Sequence, residues 1–178
     1  EDLKSGVEDF QKYRDQLRDD LPQKTFLKII KDLEQLTEQV QRISAFAYLW
    51  FSEDTQNQAA QALLAQNDQL MADMQNQSMF FELWWKKLDK DNARRLMEDI
   101  GDYRYWLEEM RHFTPHTLSE PEEKVINTKN VTGFSALTTL YDSITNRYTF
   151  TIEVDGEEKE MTRGELMVYV RHHDPDLR

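Results

Sequence analysis

Two histidines have the spacing of a metal site. His112 and His116 are four residues apart, the separation at which one helix face offers two imidazoles to zinc. Zinc-assisted hydrolysis also needs a glutamate beside the first histidine as general base. Phe113 stands there instead, and Pro115 ends the helix that would align the two rings. A second cluster, His172, His173, Asp174 and Asp176, fails differently. Adjacent side chains on a helix diverge by about 100°, so two such rings cannot share one ion, and a solvated helix end is expected. Phe80, Phe81, Trp84 and Trp85 form a dense aromatic patch, expected to pack a core or an interface rather than to serve as a peptide platform. The chain has no glycine-rich phosphate loop, serine elbow or paired catalytic carboxylates. The expectation is therefore no catalytic, cofactor-binding or metal-ligating residue in these 178 residues.

Composition narrows the function classes. The net charge is -12, with acidic and basic residues interleaved throughout. Nucleic-acid binding needs clustered Lys and Arg, and an anionic membrane surface would repel this chain. Cysteine is absent, which excludes disulfides, thiol catalysis and cysteine-ligated zinc. That absence fits a reducing compartment, and a cytoplasmic location is the expectation. No apolar run approaches the roughly 18 residues of a membrane span, and residues 1–20 are too charged for a signal peptide. The first residue is Glu1 rather than Met, so an upstream segment is expected to have been removed. Mean hydropathy is -0.80, and five glycines with four prolines imply long helices with short connections.

Those helices can be placed by periodicity. Leu3, Val7, Phe10, Tyr13, Leu17 and Leu21 predict a first helix over 3–20, closed by Pro22. Phe26, Ile29, Leu33, Leu36, Val40, Ile43, Ala47 and Trp50 form a heptad seam on a helix over 25–51. Ser52-Glu53-Asp54 breaks it and offers a cap for the next helix, 55–88, which keeps the same phase through Ala60, Leu63, Leu70, Met74, Phe81, Trp84 and Leu88, with Asn67 and Gln77 at two seam positions. A short connection makes these two an antiparallel hairpin of about 40–50 Å, an elongated arm rather than a bundle. Shorter helices follow over 91–100 and 102–113, separated by Gly101.

The character changes near residue 116. Ser119-Glu120-Pro121-Glu122 is a capping box with proline in the first turn. It opens a helix to about Asn130, which Gly133 separates from another over 134–146. Residues 147–154, YTFTIEVD, alternate as a strand does, and Asp155-Gly156 is a hairpin turn signal. Glu157 to Met161 returns as a charged edge strand. Thr162-Arg163-Gly164-Glu165 is a second capping box, opening a helix to about His172, and Asp174-Pro175-Asp176 reads as a further helix start.

Leu118-Ser119-Glu120-Pro121-Glu122-Glu123-Lys124, with Thr117 before it and Thr132-Gly133 and Leu140-Tyr141-Asp142 after it, resembles the N-terminal domain of oligoendopeptidase F-type zinc metallopeptidases, relatives of thimet oligopeptidase. The likeness continues through the hairpin Phe150 to Met161, the Thr162–Glu165 cap and the closing His173-Asp174-Pro175-Asp176-Leu177-Arg178. Over 110–178 it is specific, and over 1–109 only architectural. The resemblance implies a zinc peptidase that cleaves short peptides inside a helical channel. Its His-Glu-x-x-His signature and distant glutamate ligand are absent from this sequence, so no catalytic or metal residue carries over.

The expected fold is mainly α, a long antiparallel helical hairpin plus shorter helices, with one small β-hairpin near residues 147–161. Residues 1–115 are expected to form a helical arm and 116–178 an oligoendopeptidase F-like N-terminal domain. The resemblance implies a wall or lid of the substrate channel, with the catalytic domain of the same polypeptide, zinc and short peptides as the full-length partners. No nucleic acid or membrane partner is expected. Self-association through residues 166–177 is expected. A free-standing helical interaction module is the alternative.

Overall fold

The spine is a pair of antiparallel helices, α2 (Gln23–Glu53) and α3 (Gln58–Lys87). The computed structural model describes residues 2–154 and 156–175. Neither spine helix contains glycine or proline, and each spans about 45 Å at 1.5 Å per residue. Pro22 does not close a preceding helix. It stands extended, at φ -64° and ψ 138°, immediately before α2, where its missing N–H costs nothing. The cap of α3 is Asn57, whose side chain accepts the Ala59 and Ala60 N–H groups. The expected cap at Ser52-Glu53-Asp54 is thereby corrected: the Asp54 side chain accepts the Gln56 N–H and its carbonyl the Asn57 N–H, in a local turn.

The first helix, α1 (Asp2–Gln11), stops well short of residue 20. Tertiary contacts overrule its periodicity. Phe10 enters the core, and Tyr13 turns to donate its hydroxyl to Asp32 at 2.6 Å while accepting from Lys28 at 2.6 Å. A 3-10 turn, Arg14–Gln16, follows.

The main core lies at the base of the hairpin. Phe26 stacks on Phe81 and Trp85 with ring centroids 6.0 and 5.1 Å apart. The aromatic patch read from the sequence is this core: Phe80, Phe81 and Trp85 are buried and Trp84 packs at the edge. Short helix α4 (Lys90–Leu96), capped by Asp89, and α5 (Tyr103–His112) close over it. Trp85 Nε1 donates to the Leu107 carbonyl at 2.9 Å, and Arg111 donates to the carbonyls of Trp85 and Leu88. Arg111 thus satisfies acceptors that the end of α3 leaves open.

The seam is less uniform than its spacing suggests. Ala47, Phe51, Ala60 and Leu64 meet near the hairpin tip, and Ser44 donates to the buried Asn67 side chain at 3.1 Å. Ile43 is exposed, as is Gln77. Leu36 is buried with Gly6 of α1 beside it, and Leu70 is half-buried beside Leu3 and Val7. Helix α1 therefore takes up part of the seam that the pattern assigned to α2 and α3 alone.

Beyond a 3-10 turn, Thr114–His116, the chain forms α6 (Glu120–Asn130), a π-helical turn (Val131–Ser135) and α7 (Ala136–Thr145) without interruption. Gly133 does not separate two helices as the sequence suggested. It sits inside the π turn, which absorbs one extra residue while the helix continues. Strands β1 (Thr149–Val154) and β2 (Glu157–Thr162) pair antiparallel, Thr149 opposite Thr162 and Val154 opposite Glu157. The mainly α fold with one hairpin is as read from the sequence. The final helix is shorter than expected: α8 is Arg163–Leu166, followed by a 3-10 turn, Tyr169–Arg171. Asp155 of the turn signal, and Asp176, Leu177 and Arg178 of the closing motif, lie outside the described residues.

Candidate functional site

The continuous helix 120–145 is anchored along α3 by polar pairs. The Asn127 amide donates to the Ala72 carbonyl and to the Asn76 side chain, both at 2.9 Å. Near the hairpin tip Gln56 donates to the Ser143 carbonyl at 3.1 Å, and Arg147 Nε donates to Gln56 at 2.6 Å. At the other end Glu120 receives both terminal nitrogens of Arg14 and also pairs with Lys124. These bonds hold its carboxyl down to about 2, the Arg14 hydrogen bond contributing most. The capping box is formed as read: the Ser119 N–H donates to Glu122 at 2.9 Å, and the Ser119 bonds keep Glu122 below its ordinary range.

What that anchoring leaves outward is apolar. Phe134 is 74% exposed and Leu137 66%, and Leu140, Tyr141, Ile144 and Tyr148 follow them into solvent. Val125 and Ile126 are also exposed before the π turn, and Phe150 and Met167 beyond it. Helical spacing of three and four residues gathers Phe134, Leu137, Tyr141 and Ile144 on one stripe. Single exposed apolar residues are ordinary, whereas a continuous stripe marks a surface that another partner covers. The sequence carried this signal, since 125–144 holds more apolar residues than one contact with α3 can bury. The π turn had no such signal. By adding a residue it rotates α7 relative to α6 by about 100°.

The histidines do not assemble. His112 ends α5 with Nδ1 3.3 Å from Glu109, and Pro115 carries His116 into a separate 3-10 turn. His172 lies beyond the last turn in extended conformation, so its ring sits 4.4 Å from that of His173 rather than pointing away along a helix. The Asp174 N–H donates to His172 Nδ1 at 3.2 Å. Among the described residues no three His, Asp or Glu side chains converge where they could hold a metal ion. The described residues do not fit the zinc site that the family resemblance implies. No helix among the described residues is long and apolar enough to cross a membrane.

Comparison with known proteins falls on the same region. Residues 84–150 match the family described as Oligopeptidase F, a span that includes all of helix 120–145 and its exposed stripe. The fold is similar to the crystal structure of oligoendopeptidase-F from Enterococcus faecium, with a TM-score of 0.71 at 20% sequence identity, over 96% of this chain and 34% of that one. The chain therefore spans about a third of that relative's length. No curated protein sequence matches it.

Proposed function

We propose that this chain, whose residues 84–150 carry the N-terminal segment of the oligopeptidase F family, is a non-catalytic wall or lid of a peptide channel. The catalytic region of a zinc metallopeptidase covers the Phe134–Ile144 stripe, and the assembled enzyme hydrolyses short peptides. The observation that carries this reading is the stripe itself: a helix fixed to its own core by Asn127, Gln56 and Glu120 while presenting large apolar side chains outward. A surface built for solvent would place polar residues there. When the stripe is uncovered, copies of the chain associate through it and through Met167, Val168 and Val170, which are also exposed. The absence of cysteine supports a cytoplasmic setting.

The test is a polypeptide in which this region is joined to its His-Glu-x-x-His region, with Phe134→Glu and Leu137→Glu introduced together. The expected result is a folded, zinc-loaded enzyme with altered peptide-length selectivity or KM. Unchanged selectivity and kcat/KM in a folded double variant would contradict the reading.

A further inference from the structure

A second apolar surface lies away from helix 120–145, which lines no part of it. Between α2, α3 and α5 runs a groove of about 710 Å³, lined by Leu33, Met71, Met74, Trp106 and Met110. Its ionisable lining residues are Glu34, Glu38, Glu82 and Tyr103, with no Lys or Arg among them. We propose that this groove binds an amphipathic helical segment carrying Lys or Arg along its edges.

Shape, chemistry and charge each point to that occupant. The α2 wall runs from Ile30 to Gln41 and the α3 wall from Met71 to Glu82, about 16 Å on each side, or three helical turns. Two antiparallel helices with an open groove between them accept a third helix by ridge-into-groove packing. The methionine thioethers are unbranched and polarisable, so they adapt to aliphatic side chains without demanding one sequence. Glu34 accepts from Tyr103, Glu38 from Arg42 and Glu82 from Lys86, each through one oxygen. A carboxylate offers about four acceptor sites, so each keeps capacity for an incoming cation. A second copy of the chain fits poorly, because it brings another net charge of -12. The groove is formed by this chain alone and does not depend on what covers the Phe134–Ile144 stripe.

The probe is a labelled peptide of about fourteen residues, four turns, with leucine on one face and lysine on the other. Its counterpart carries glutamate in place of lysine. With the wild-type chain and isotope-labelled methionine methyl groups, the lysine peptide should bind saturably and shift Met71, Met74 and Met110. Met161 and Met167, on the hairpin and after α8, should stay in place. The triple variant Glu34→Gln, Glu38→Gln, Glu82→Gln should lose at least about tenfold in affinity. Glu157→Gln, Glu158→Gln, Glu160→Gln on β2 changes net charge equally and should lose less than about twofold. Equal losses in the two triples would reduce the effect to bulk charge and overturn the proposal. So would equal binding of the glutamate peptide, shifts centred on Met161 or Met167, no saturable binding, or a groove already filled by a second copy in sedimentation.

Discussion

Arg14 grips Glu120 with both terminal guanidinium nitrogens, at 3.0 and 2.7 Å, across 106 positions of sequence. The same guanidinium lies 4.6 Å over the Phe80 ring, so one side chain ties the turn after α1 to the core and to the start of α6. Both partners are partly exposed, 40% and 26%. A double-mutant cycle with Arg14→Ala and Glu120→Gln should give a coupling of about 0.5–1 kcal/mol that shrinks in high salt. Because the folded carboxyl is lowered from 4.5 to about 2, the contribution is present above the ordinary value and disappears as pH falls from about 4.5 toward 2. Denaturant titrations across that window, wild type against Glu120→Gln, should converge at the acid end.

Asp68 behaves in the opposite sense. Burial in α3 raises its carboxyl above the ordinary range, so its charged form is disfavoured on folding and its effect on stability improves as pH falls. Asp68→Asn should stabilise the chain at pH 7 by up to about 0.5 kcal/mol. The gain should vanish below the ordinary carboxylate range, as chemical denaturation at the two pH values would show.

Gly6 and Leu36 form a steric pair. A methyl group on Gly6 would stand 2.7 Å from Leu36 Cδ2. Leu36→Ala should cost about 2–5 kcal/mol through the cavity it leaves, and Leu70→Ala less, because Leu70 is only half-buried. Gly6→Ala gains about 1 kcal/mol of helix propensity but must displace a buried side chain at about 1–3 kcal/mol. In the Leu36→Ala background the clash is gone, and Gly6→Ala should become stabilising by about 1 kcal/mol. Thermal unfolding of the four variants reads that change of sign.

The spine, the two capping boxes and the hairpin were legible because each rests on local chemistry. Apolar spacing set α2 and α3, Ser119–Glu122 and Thr162–Glu165 set two helix starts, and alternation set β1. Thr162 accepts the Glu165 N–H at 3.4 Å and Glu165 accepts the Thr162 N–H at 2.8 Å, as read. The errors lie where a distant contact decides. Helix α1 ends early because Tyr13 finds Asp32 and Arg14 finds Glu120. The seam is shared because Gly6 lets α1 approach Leu36. Gly133 stays helical because α6 is pinned to α3 at Asn127 and α7 to the turn before α3, where Gln56 donates to the Ser143 carbonyl. The apolar face of helix 120–145 was readable from composition, but its stripe depends on the π turn, for which no residue pattern gives notice.

Exposure of the stripe should govern self-association. Leu137→Ser and Tyr141→Ser should each change the stability of the isolated chain by no more than about 0.5 kcal/mol, since neither side chain belongs to the core. Both should lower the fraction of dimer or higher species in sedimentation at high concentration. A large stability loss with unchanged association would mean that the stripe is packed internally.

The most direct measurement is oxidative footprinting of Phe134, Leu137 and Tyr141, first in this chain alone and then in a longer polypeptide that joins it to the proposed catalytic region. The docking account predicts strong labelling of all three in the isolated chain at concentrations where it is monomeric. It predicts protection of all three in the longer polypeptide, with exposed Tyr48 and Leu49 near the hairpin tip as the reference within the same molecule. Equal labelling of Phe134, Leu137 and Tyr141 in both would contradict it, because the stripe would then face solvent in the joined polypeptide as well.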